Sequence, residues 1–223
     1  MDNLFWLLEA IPLVPLIAAV FYGVYRMFRR RVPLYFQMVV CAVICALLEL
    51  VYSSLVLLCG DGGSVPANLT GLAAGGACAF MFAANYGQFD SIVDGGQKKY
   101  RTVRLLALFA PAVFLAAAVL FFLAQESIDV VSFIVIVIAV FSLLPCSYFN
   151  FKIILMQDDG TGFIKGAKPA NVASLVYIVL QCAAVYLRQT GNDPAMLVVH
   201  YLIVLTCIAG VFCADWGRKQ WVK

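Results

Sequence analysis

The sequence predicts an all-α, polytopic membrane protein of seven transmembrane helices. Three observations predict it. The chain of 223 residues is 64% hydrophobic and only 12% charged, whereas a soluble domain is about half apolar and about a quarter charged. Apolar runs recur at 4–25, 34–58, 69–89, 103–124, 128–151, 170–187 and 195–216, each near the roughly 20 residues a helix needs to cross a bilayer. None alternates as a barrel strand would, and only helices or closed barrels satisfy their backbone in lipid.

Charge orients these spans. Arg26, Arg29, Arg30 and Arg31 follow span one, and Lys98, Lys99, Arg101 and Arg104 follow span three. Lys152, Lys165 and Lys168 lie between spans five and six, and Arg218, Lys219 and Lys223 close the chain. Only Arg188 lies on the other side. Basic loops stay cytoplasmic, so the N-terminus is expected outside and the C-terminus inside. The net charge of +3 thus reports topology, and with the basic residues spread over four short segments it gives no footprint for nucleic acid.

Span one lacks the basic leading region of a signal peptide and runs into "RMFRRR", the order of an uncleaved span with an exported N-terminus. Pro12 and Pro15 interrupt it, as Pro145 interrupts span five; each removes a helical hydrogen bond at depth, which makes Pro15 and Pro145 candidate hinges. Span two carries Cys41, Cys45, Glu49 and Tyr52 at helical spacing. Span three is small-faced, with Gly71, Gly75 and Gly76 beside Ala73, Ala74 and Ala77, so its backbone can approach a neighbour closely. Span six carries a polar stripe of Ser174, Tyr177, Gln181 and Arg188, and span seven the single histidine, His200. Seven of the eight cysteines lie within spans, where they read as packing residues rather than a disulfide framework.

One phrase occurs twice: "FAANYGQFD" at 82–90 and "FCADWGRKQ" at 212–220. The same offset of 130 pairs Leu13 with Leu143, Pro15 with Pro145, Phe21 with Phe151, Leu72 with Leu202 and Ala79 with Ala209. Spans two and six need a shift, Val51-Tyr52 meeting Val185-Tyr186 at 134. The expectation is a duplication within one domain, 1–223: a first three-helix repeat (1–95), a linker helix (100–126) and a second repeat (127–223). Three spans end opposite to where they start, so a parallel second copy needs the odd linker. Parallel repeats about an axis along the membrane normal are a recurring transporter design.

A 3+1+3 arrangement resembles the SWEET sugar transporters, the PQ-loop proteins and the Pnu-type vitamin transporters. Pro15, Pro33, Pro145 and Pro169 resemble the paired prolines of the first group. "NYGQFD" at 85–90 and "WGRKQW" at 216–221 resemble the Tyr-Gly and Gly-aromatic motifs of the last. The Pro-Gln pair is absent, since Leu16 follows Pro15 and Cys146 follows Pro145. The resemblance implies movement of a small polar solute, with the site between the two triplets.

Polar side chains inside a membrane are costly and default to functional candidates. Glu49, within span two, could take a proton or a solute hydroxyl, or join two helices as a hydrogen-bonded carboxyl. Gln181 lies on the facing stripe. Asn85 and Asp215 occupy matching places in the repeated phrase and are expected at the inner mouth of one central cavity, where an amide and a carboxylate offer donors and acceptors to a polyol or nucleoside. Tyr86 and Trp216, next in the phrase, could stack on a flat solute or close the mouth. His200 and Glu9 are read as interfacial.

Enzyme signatures are missing: no HExxH, GxSxG or GxGD occurs. No cofactor or metal ligand set suggests itself. The expected surroundings are the lipid bilayer of the cytoplasmic membrane and a small polar solute; the sequence leaves homo-oligomerisation open. Two functions fit. One is a transporter or facilitator working by alternating access between the triplets. The other is a seven-helix sensor, receptor or accessory module that binds a ligand or partner and moves nothing.

Overall fold

A computed structural model describes residues 8, 10–29, 32–59, 64–87, 94–124, 128–158, 162–190 and 193–220. Among them the fold is all-helical, with 92% helix and no strand. The helices are α1 (Leu13–Arg29), α2 (Leu34–Cys59) and α3 (Ser64–Asn85), then α4 (Lys98–Leu123), α5 (Val130–Leu155), α6 (Phe163–Thr190) and α7 (Asp193–Gln220). Five of them, α2, α4, α5, α6 and α7, contain stretches long and apolar enough to cross a bilayer.

Lipid surroundings explain why these sequences are helical at all. α5 begins "VVSFIVIVIAV", a β-branched run that would favour a strand in water. In hydrocarbon an open strand leaves every N–H and C=O unpaired, so the helix wins. Asp129 starts α5: its carboxylate accepts the Val131 and Ser132 N–H groups, each at 3.0 Å. α4 is a 3₁₀ turn (Lys98–Tyr100) followed by α-helical Arg101–Ala107 and Phe109–Leu123. The interruption at Leu108 has a local cause, because Pro111 has no N–H for the Ala107 carbonyl.

The prolines divide. Pro15 cannot donate to the Ile11 carbonyl, which instead takes Val14 N at 3.3 Å, and α1 starts after a turn at 11–12. Pro145 lies inside an unbroken α5. Pro33 immediately precedes α2, as expected. Pro169 does not open α6. That helix starts six residues earlier, at Phe163, just after Gly162, whose φ of +73° suits glycine. The start of span one at 4–7 lies outside the described residues.

α2 packs most extensively on α3, and α6 on α7. α3 also packs on α5, α5 on α6, α2 on α7, and α1 on both α2 and α7; α4 packs chiefly on α5. Thus α2, α3, α6 and α7 surround the core, whose buried side chains include Phe36, Val39, Met81, Ile178, Ile203 and Val211. One end of the bundle collects Arg26, Lys98, Lys152 and Arg218, and is called the basic end below. There the last turn of α7 meets the start of α6, and the end of α3 meets that of α5. At the far end Ser132 Oγ donates to Asn68 Oδ1 at 3.1 Å and Tyr201 Oη to the Leu8 carbonyl at 2.9 Å.

The outside is apolar: Phe28 is 87%, Leu123 78% and Phe141 73% exposed. A soluble monomer rarely exposes contiguous apolar patches of such extent; for a membrane protein it is the required surface. Inside, small residues let helices close. Gly71 meets Val135 and Gly75 meets Ala139 across the α3–α5 contact, and Gly76 meets Cys45 on α2, the role expected of that face. Gly217 is the tightest case, since a Cβ there would fall on the Gly166 carbonyl oxygen of α6. Its counterpart in the repeated phrase, Gly87, has nothing within 4 Å of such a Cβ. Of the two glycines in the repeated phrase, only Gly217 packs tightly. Gly217→Ala is expected to destabilise the protein by about 1–3 kcal/mol through overpacking against backbone, and Gly87→Ala to leave it near neutral. Thermal unfolding of both variants in detergent checks this; equal melting temperatures would disprove it.

Candidate functional site

The polar residues of the bundle fall into layers along its axis. In the far half, Glu49 of α2 is 2% exposed. Tyr177 Oη donates to its Oε2 at 3.1 Å, and Gln181 Nε2 donates to the same oxygen at 2.5 Å. Tyr177 and Gln181 stand four apart on α6 and so share a face. One turn beyond Glu49, Ser53 Oγ accepts from Arg188 Nη2 at 2.7 Å. The stripe on α6 therefore meets α2 as the sequence suggested, with Ser53 and not Tyr52 as the residue that continues the α2 side. His200 of α7 is buried.

Between α2, α3, α6 and α7 lies a cavity of about 40 Å³, room for water only. Ala46, Ala77 and Gly210 give it small walls; Ser174, Tyr177 and Thr206 give it hydroxyls.

Toward the basic end comes a buried amide cluster. Asn85 Nδ2 of α3 donates to Asn150 Oδ1 of α5 at 2.8 Å and to Asn171 Oδ1 of α6 at 2.7 Å. Asn150 Nδ2 donates to Ser174 Oγ at 2.8 Å, and Asn171 Nδ2 to Tyr35 Oη at 3.2 Å and the Ala167 carbonyl at 2.9 Å. Asn85, Asn150 and Asn171 are wholly buried. The Asn85 Oδ1 acceptor is left without a partner among the described residues.

The last layer is ionic. Asp215 of α7 accepts from Tyr22 Oη at 3.1 Å and pairs with Arg26 at 3.1 Å, both on α1. Arg218 at 2.6 Å and Lys219 at 3.5 Å pair with it from its own helix. On the opposite flank, Asp94 pairs with Lys152 of α5 and with Arg104 of α4 at 3.2 Å.

No protein-family model, curated protein or solved structure matches the chain.

The geometry sorts the expected site residues. Glu49 and Gln181 are joined directly. Asn85 and Asp215 are both buried, but in separate networks and outside the cavity wall: Asn85 reaches α5 and α6, Asp215 reaches α1. Tyr86 and Trp216 are about half exposed. Tyr86 packs on Phe82 and Phe149 at 5.6 and 5.7 Å between ring centroids. Neither ring lines the cavity. Helical geometry forces this correction: successive residues point about 100° apart, so the residue after an inward-facing Asn or Asp must face away.

Asn150 and Asn171 went unnoticed because they sit at the boundaries expected for spans five and six, where an amide looks interfacial. The usable signal was their depth within helices that begin or end beyond those boundaries. Lys152, expected in a loop, lies in the last turn of α5, buried beside Asp94. Asn85→Ala would leave two buried carbonyl oxygens without donors, for a loss of about 2–3 kcal/mol. Denaturant unfolding in micelles measures it, and an unchanged midpoint would remove Asn85 from its place as the hub of the amide cluster.

Proposed function

We propose that this chain is a seven-span transporter of a small polar solute, alternating access across a central site between α1–α3 and α5–α7, with α4 as the linker. The observation that carries the reading is the cavity on the four-helix axis, bracketed by the Glu49 cluster on one side and the Asn85 cluster on the other. Ser174 and Tyr177 belong both to the cavity wall and to those clusters. Widened beyond its present water-sized space as the triplets move, the cavity would offer a solute hydroxyls on both sides and small residues between, which suits a sugar-like, nucleoside-like or vitamin-like molecule.

The neighbour relations support the duplication. Exchange α1, α2 and α3 for α5, α6 and α7, and the pairs α1–α2, α2–α3 and α3–α5 become α5–α6, α6–α7 and α7–α1, all of which pack. Phe82 lies 5.4 Å from Phe149 of α5, and its counterpart Phe212 lies 5.2 Å from Tyr22 of α1. On this reading the basic end faces the cytoplasm, the N-terminus lies outside, and Pro15 and Pro145 mark where the first helix of each triplet can bend. We place the protein in the cytoplasmic membrane. The second reading is a seven-helix sensor or accessory module, for which the same cavity would bind a ligand without passing it on.

Counterflow of radiolabelled hexose, nucleoside and vitamin probes into proteoliposomes tests transport. Exchange of at least one probe above empty liposomes is expected, and Ala46→Phe, which fills the cavity, should return it to background. Binding of a probe with no exchange would favour the sensor. Topology has its own check. On a background free of native cysteines, Thr190→Cys should react with an impermeant thiol reagent from outside and Lys165→Cys only from inside; the reverse pattern would invert the orientation.

A further inference from the structure

Glu49 is the only carboxyl among the described residues that lies more than two turns from either end of its helix. It is buried, and no Lys or Arg forms an ion pair with it among the described residues. Both groups that touch it are neutral donors, Tyr177 Oη and Gln181 Nε2, and both fall on Oε2. Oε1 takes no hydrogen bond among the described residues. The other titratable or charged groups acting on the site are Arg188 of α6, His200 and Cys207 of α7, and Cys78 of α3. Arg188 is engaged by Ser53 one turn away.

This environment is wrong for a metal cation. Hard cations require six or more oxygen ligands, whereas Glu49 meets N–H and O–H donors, and no cluster of three metal-ligating side chains occurs among the described residues. It suits a proton, the one cation that a single carboxyl can hold by itself.

Tyr177 makes the site more than a neutral buried acid. Its ring lines the cavity while its hydroxyl donates to Glu49. A carboxylate claims that O–H; a carboxylic acid has less need of it and frees it to donate into the cavity. The hydroxyl cannot serve both acceptors at once. Proton binding at Glu49 and occupancy of the cavity by a hydrogen-bond acceptor are therefore linked, and linkage is reciprocal.

We propose that Glu49 is a proton-binding site coupled through the Tyr177 hydroxyl to occupancy of the central cavity. The proton adds to Oε1 from water on one side of the membrane and is released to water on the other, with no other bond made or broken. The coupling rests on the transport reading above; the proton site does not.

Two measurements on the full chain separate them. In lipid nanodiscs, infrared difference spectra between acidic and alkaline buffer should show the carbonyl band of a protonated carboxyl that is absent in Glu49→Gln. Glu49→Asp, which keeps a carboxyl in altered surroundings, should shift the band and not abolish it; this arm holds if the glutamine variant fails to fold. A wild-type spectrum without such a band, or a band unchanged in both variants, overturns the proton site. In proteoliposomes, an inward proton gradient should raise uptake of the exchanging probe by about tenfold, within the usual range of coupling between sites. Glu49→Gln and Tyr177→Phe should both lose that response, read as the ratio of uptake with the gradient to uptake without it. A response retained in Tyr177→Phe overturns the coupling. A carboxyl band that vanishes in Glu49→Gln, with no probe exchanged by any protein, supports the proton site and counts against the transport reading alone.

Discussion

The helix interior of this protein is ruled by the absence of water in the surrounding lipid. A buried amide or carboxyl there finds its partner on another helix or goes without, and each lone partner lost costs about 1–3 kcal/mol. The cross-helix bonds record that constraint. Glu49 joins α2 to α6, Asn85 joins α3 to α5 and α6, Tyr35 and Asn171 join α2 to α6, and Asp215 joins α7 to α1. Apolar contact alone would not fix the relative register of helices immersed in an apolar solvent, since lipid tails compete equally well for Leu and Val. Polar groups at set depths do fix it. The glycines at 71, 75 and 217 then allow backbones near enough for those bonds to form.

The two ends of the bundle are closed by unequal chemistry. At the basic end Asp215 and Asp94, both almost fully buried, each pair with more than one cation; Asp215 ties α7 to α1, and Asp94 ties α4 to α5. At the far end the ties are single hydrogen bonds, Arg188 to Ser53, Ser132 to Asn68 and Tyr201 to a backbone carbonyl. Charge-assisted bonds are roughly twice as strong as neutral ones, and burial spares them the screening that weakens exposed pairs. The cavity accordingly sits between a charged closure and a mostly neutral one.

How much of this was legible in the sequence follows from what each pattern encodes. Composition and run length encode the solvent, so the all-helical membrane class and the approximate helix limits could be read directly. Helix ends were harder. α6 begins at Phe163 and α3 at Ser64 because helical backbone continues past the apolar run into the polar interface, and hydrophobicity says nothing about that extension. The same blind spot hid Asn150 and Asn171. Facing was legible where spacing is helical, as with Tyr177, Gln181 and Arg188, and was misread where neighbours in sequence were taken as neighbours in space, as with Tyr86 after Asn85. Partner choice was not legible. Nothing local in Asp94 or Lys152 announces that they meet, because the pairing is made where the segment leading into α4 reaches the end of α5.

The repeated phrase gains its meaning from the helices it joins. In each occurrence the Phe packs on an aromatic ring of a neighbouring helix, Phe82 on Phe149 of α5 and Phe212 on Tyr22 of α1. Three residues later, still on the same helical face, the Asn or Asp reaches that same helix, at Asn150 or at Tyr22 and Arg26. The spacing is thus a two-point clamp, one apolar and one polar, at both the α3–α5 and the α7–α1 contacts. The two occurrences take different partners. Asn85 faces neutral amides that it can satisfy in the dry interior. Asp215 faces Arg26 and Arg218, and an amide there would leave two guanidinium groups short of a counter-charge. Asn at 85 and Asp at 215 each follow from the charge of what lies opposite, which is why one clamp is written with two different residues.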